Sequence, residues 1–97
     1  MTEKQLKIYV GAKLKELREH AGLKQEDVAK FINLSRVSVL NMEQGRHSPT
    51  PFKLLSLCRL FNCTLNDIFP PVEAIKYVIE EKTVTVKKKV KQFKIIK

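Results

Sequence analysis

Arg36, Val37, Ser38 and Asn41 carry the most distinctive chemistry of this 97-residue chain. On a helix they share an outward face, where an ordinary exposed helix presents a row of charges. An Arg fork can donate to guanine O6 and N7, an Asn amide can pair with adenine N6 and N7, and a Val methyl can touch the thymine methyl. That is recognition chemistry, not catalysis. Ser35 and Ser38 have no nearby His with a third orienting group, no Gly-rich phosphate loop is present, and no acidic pair marks a cleft. Cys58 and Cys63 fit neither a C-x2-C knuckle nor a disulfide framework and read as buried structural thiols. His20 and His47 stand alone, so no metal site, no cofactor and no enzyme is expected.

Holding that face requires helices around it. Leu6, Val10, Leu14, Leu17 and Ala21 recur at helical spacing, predicting a first helix over Gln5–His20 stopped by Gly22. A second helix is expected over Gln25–Ile32, with Glu26 and Asp27 at its positive end and Val28, Ala29 and Ile32 inward. Asn33 tolerates positive φ and breaks it. Ser35 is a good N-cap for a third helix, Arg36–Gln44, whose Val39 and Met42 point to the core before Gly45 ends it. Thr50 and Pro51 open a fourth helix reaching Phe61. It is apolar almost all round, which predicts burial on more than one side, as a central strut. Asn62 ends it, Thr64 and Asp67 cap a short fifth helix, and Pro70-Pro71 closes the domain. Lys13, Lys15 and Lys53 read as solvated. The expected fold is mostly α, a compact five-helix domain over 1–71 followed by a basic extension, 72–97, of helix or strand structure, which is a candidate dimerisation element.

The extension is ambiguous. Val72, Ile75 and Ile79 fit a helical stripe, whereas Lys82–Lys87 alternates like a strand. The charge is uneven: 11 basic and 7 acidic residues lie in 1–71, against 8 and 3 in 72–97, within a formal net charge of +9. Such an excess suggests a polyanionic partner without saying which. No apolar run approaches the roughly 20 residues of a membrane span, and the N-terminus lacks a secretory signal, so a cytoplasmic protein with no membrane partner is expected.

The stretch Gly22–Arg46, with Arg18 before it and PTPFKLLSLCRLFNCTLNDIF after it, closely resembles the phage repressor and Cro-type (XRE-type) helix-turn-helix family. The likeness rests on Gln25 opening the second helix, the small Ala29, the Leu34-Ser35 pair, the Met42-Glu43-x-Gly45-Arg46 ending and the spacing to the fourth helix. It covers about Val10 to Phe69 and implies a lambda-repressor-like five-helix fold. It implies that Arg36, Val37, Ser38 and Asn41 read bases, that Lys24, Gln25 and Arg46 face phosphates, and that Arg18 and Glu43 form a structural ion pair between the first and third helices. Three positions depart from the pattern. Lys24 stands where a Ser, Thr or Asn cap is usual, Asn33 where Gly is usual, and Leu40 where polar residues predominate.

These readings converge on a sequence-specific, repressor-like regulator of bacterial or phage origin, associated with the nucleoid. It would bind double-stranded DNA as a homodimer on a pseudo-palindromic site, since one reading helix covers only a half-site. The alternative is an antitoxin-like or coactivator module whose main partner is a protein, engaged through residues 72–97, with DNA binding secondary.

Overall fold

The computed structural model describes residues 1–75. They form α1 (Glu3–His20), α2 (Gln25–Phe31), α3 (Arg36–Glu43), α4 (Pro51–Phe61) and α5 (Leu65–Ile68), followed by a 3-10 turn over Val72–Ala74. There is no strand among the described residues. The alternation at Lys82–Lys87, the Ile79 end of the proposed helical stripe and most of the extension read as a dimerisation element lie outside them. α1 begins two residues before the apolar spacing predicts. The Thr2 hydroxyl accepts the Gln5 N–H at 3.2 Å while Gln5 Oε1 accepts the Thr2 N–H at 2.9 Å, a reciprocal cap that satisfies two orphan donors.

The first four helices end in one way. At each stop a residue in left-handed geometry follows the helix: Gly22 (φ 72°), Asn33 (φ 57°), Gly45 (φ 78°) and Asn62 (φ 53°). The next N–H then reaches back five residues to a carbonyl of the last turn. These bonds are Leu23 to Arg18 (3.1 Å), Leu34 to Ala29 (2.9 Å), Arg46 to Asn41 (2.9 Å) and Cys63 to Cys58 (2.9 Å). This is the Schellman motif, which satisfies helix-end carbonyls and brings the two residues bracketing the stop together. The C-terminus of α2 has a further partner. Lys53 of α4, expected on a solvated face, is half-buried and donates from Nζ to the Ile32 carbonyl at 2.7 Å, a cation at the negative end of a helix.

Val10 and Leu14 of α1, Val28 and Ala29 of α2, Ile32, Val39 and Met42 of α3, Leu57 and Cys58 of α4 and Ile68 of α5 form one buried cluster. Leu17 packs at its edge, whereas Ala21, at the end of the expected stripe, is exposed because it lies beyond the last turn of α1. α1 and α3 approach unusually closely. Gly11 is buried, and a Cβ there would lie 2.7 Å from the Glu43 carbonyl oxygen and closer still to that of Met42. Gly45 repeats the constraint, since a Cβ on it would meet the Ile8 backbone at 2.7 Å.

α4 corrects the sequence reading. It buries one face, with Leu57 and Cys58 inside, while Phe52 is 79% and Leu55 54% exposed. Its uniform apolarity reflects a second apolar face that no described element covers. Cys58 is buried as expected, but Cys63 is only half-buried. Met1 lies against the turn after α5, its amino group 2.8 Å from the Ala74 carbonyl, so the segment 72–74 is part of the folded unit.

Candidate nucleic-acid interface

The face of α3 opposite the core is built by a helix with only Val39, Met42 and Glu43 buried. Ser35 caps it, its hydroxyl accepting the Ser38 N–H at 3.1 Å. The two hydroxyls also meet at 3.0 Å, so Ser38, half-buried, is directed back to the helix start. Arg36 is exposed, Val37 is 56% exposed, and Asn41 is half-buried. Leu40, whose environment the sequence leaves open, is half-buried beside them.

Behind this face runs a continuous polar chain. Arg18 donates from Nε to Glu43 Oε2 at 2.6 Å and from Nη2 to Oε1 at 3.2 Å, a two-point pair whose side chains are 10% and 5% exposed. Arg18 Nη1 also donates to the Leu23 carbonyl at 2.8 Å, across the stop of α1. The bond to Glu43 holds the Arg18 proton more tightly than usual, against the opposing effect of burial. Glu43 Oε1 accepts a further bond from Gln25 Nε2 at 3.0 Å, and Gln25 Oε1 accepts Arg36 Nη1 at 3.1 Å. A carboxylate only accepts and a guanidinium only donates, so the two ends fix which way the Gln25 amide faces. Three helices are thereby joined, from the core to the exposed tip of Arg36. Nearby, Arg46 Nη1 donates to Asn41 Oδ1 at 3.1 Å.

Lys24 is exposed beside Gln25 at the start of α2. It lacks a capping side chain, but its N–H is taken by the Asp27 carboxylate at 2.8 Å, so that end is better satisfied than the missing Ser or Thr suggests. Lys24, Gln25, Arg36 and Arg46 thus occupy the start of α2, the start of α3 and the loop after α3. All three segments flank the outward face of α3. Among the described residues no group of three or more His, Cys, Asp or Glu could hold a metal ion.

A family model described as a helix-turn-helix domain matches residues 10–68. The chain belongs to that family. Its relatives place it with the Cro/C1 type, whose members are DNA-binding transcription regulators and not enzymes. It is 32% identical over 57 residues to YgzD, an uncharacterized HTH-type transcriptional regulator of Bacillus subtilis, covering 59% of this chain and 86% of that one. It is 35% identical over 57 residues to the ImmF control region 10 kDa protein of Bacillus phage phi105, covering 59% and 63%. Among solved structures it resembles the restriction-modification controller protein C.AhdI of Aeromonas hydrophila, with a TM-score of 0.59 and 29% identity over 64% of this chain and 94% of that one.

Within this helix-turn-helix protein, sequence reasoning missed two positioning residues. Gly11 sits inside a helix, where Gly costs about 1 kcal/mol relative to Ala, and that local cost was the available signal. Lys53 gave none, because its partner is a backbone carbonyl on another helix.

Proposed function

We propose that this protein is a transcriptional repressor whose α3 enters the DNA major groove, with Arg36, Val37, Ser38 and Asn41 facing base edges. Lys24, Gln25 and Arg46 meet the flanking phosphates. The observation that carries this reading is the polar chain from Arg18 through Glu43 and Gln25 to Arg36. A recognition side chain tied to a buried ion pair loses less freedom on binding, and the same chain fixes the tilt of α3 on α1. The DNA-binding unit is residues 1–71 with the adjoining turn, and 72–97 is a basic extension that adds attraction to phosphate.

The protein works as a homodimer on a pseudo-palindromic site with half-site centres about one helical turn apart. The exposed Phe52 and Leu55 of α4 support self-association, since such side chains are costly to leave in water. Its place of action is the bacterial cytoplasm, at the nucleoid, and no described helix is long and apolar enough to cross a membrane.

Binding isotherms for Arg36→Ala test the reading. On a duplex selected for tight binding the variant is expected to lose about 1–3 kcal/mol, with preference relaxed at one base pair per half-site and little change on mixed-sequence DNA. Equal losses on both DNAs would remove Arg36 from base reading.

A further inference from the structure

The stop of α3 places Arg46 against Asn41. Arg46 follows the left-handed Gly45, and its N–H bonds the Asn41 carbonyl at 2.9 Å, so these are the two residues that a Schellman motif brings together. Such pairs are usually apolar, as Ala29 and Leu34 are at the end of α2. Here the contact is polar, with Arg46 Nη1 donating to Asn41 Oδ1 at 3.1 Å. A guanidinium has donors only, so the Asn41 amide can meet it only with its oxygen. The amide orientation therefore follows from chemistry, and Nδ2 is left without an acceptor among the described residues.

We infer that Arg46 is a positioning residue that turns Asn41 into a hydrogen-bond donor, so that the base beneath Asn41 is read as guanine. The inference rests on the reading that α3 lies in the major groove, and it revises what Asn41 alone implies. An unconstrained Asn pairs with adenine through both ends of its amide, accepting from N6 and donating to N7. Here Arg46 holds one lone pair of the oxygen, so an adenine or cytosine amino group would have to take the other directly beside a positive charge. Guanine offers two acceptors, O6 and N7, within reach of the Nδ2 hydrogens. Thymine offers one acceptor, and its methyl occupies the neighbouring space. Asn41 thus presents a donor to the base because Arg46 holds its oxygen, while the rest of that guanidinium stays available to phosphate.

The test is selection of bound sequences by the full chain and three variants at one fixed salt concentration. Asn41→Ala identifies the position that Asn41 reads. At that position the unmodified protein is expected to prefer guanine. Arg46→Met, which keeps an unbranched apolar stem against the helix stop but carries no donor, is expected to shift preference there to adenine by roughly ten-fold, while other positions keep their bases. Arg46→Lys restores a donor and is expected to retain guanine. Thermal melting of each variant establishes that it is folded. An adenine preference in the unmodified protein overturns the inference. So does an Arg46→Met variant that binds all sequences more weakly without changing its preference. If Asn41→Ala relaxes no position, groove reading by this residue fails as well, a separate result from failure of the Arg46 effect.

Discussion

Glu43 shows how much one residue carries in this protein. Its carboxylate is nearly out of solvent and satisfies Arg18 and Gln25 together. Removing it leaves a buried guanidinium without its counter-charge, which costs far more than the net worth of the pair. Glu43→Ala is therefore expected to destabilise the fold by about 3–5 kcal/mol, whereas a double change to Arg18→Met and Glu43→Leu is expected to cost much less. Denaturant melts of the single and double variants check this, and equal losses would show that charge pairing is not what holds α1 to α3. Cys63 makes a second prediction. Burial, then the neighbouring Cys58, pushes its pKa from 9.0 up to about 11. Its folded pKa is raised, so its contribution to stability is present below pH 9 and is lost as pH rises through about 11. Comparing the pH dependence of melting for the unmodified protein and Cys63→Ala over that range isolates the effect. For the Arg18–Glu43 pair the sequence was informative only through resemblance. The identities of Arg18 and Glu43 stand out once the family pattern is recognised, but no local spacing joins residues 25 positions apart.

At the scale of elements, the helix ends were legible and the helix contacts were not. Gly22, Asn33, Gly45 and Asn62 each mark a stop that the backbone realises with positive φ, because left-handed geometry is a property of single residues. Ser35, Thr50 and Thr64 likewise mark starts. The approach of α1 to α3 depends on Gly11, whose meaning appears only when another helix lies across it. Gly11→Ala would stabilise an isolated helix, yet here the added methyl meets two carbonyl oxygens of α3. The variant is expected to lose roughly 1–3 kcal/mol of stability through overpacking. It is also expected to lose DNA affinity, since α3 must tilt to make room. Melting and binding measured together decide it, and a more stable variant with unchanged binding would show that the two helices can separate freely.

For the whole molecule, the misreading of α4 is instructive. A helix apolar almost all round predicts burial on more than one side, but the described residues bury only one of those faces. The remaining face, with Phe52 and Leu55, has no cover within the described residues. On the dimer reading, Phe52→Glu with Leu55→Lys is expected to shift sedimentation towards the monomer while leaving the melting of a single unit nearly unchanged. Loss of affinity for a two-half-site duplex is expected to exceed the loss for one half-site. An unchanged sedimentation profile would exclude this face from self-association.

We propose that α3, braced by the Arg18–Glu43–Gln25–Arg36 chain, reads base edges as one of two symmetric heads. Selection of bound sequences from random duplex DNA at one stated salt concentration tests it most directly. The expected consensus is two inverted half-sites whose centres lie about one helical turn apart. Recovery of DNA with no base preference, or of a single asymmetric site that Arg36→Ala binds with the same preference, would contradict it.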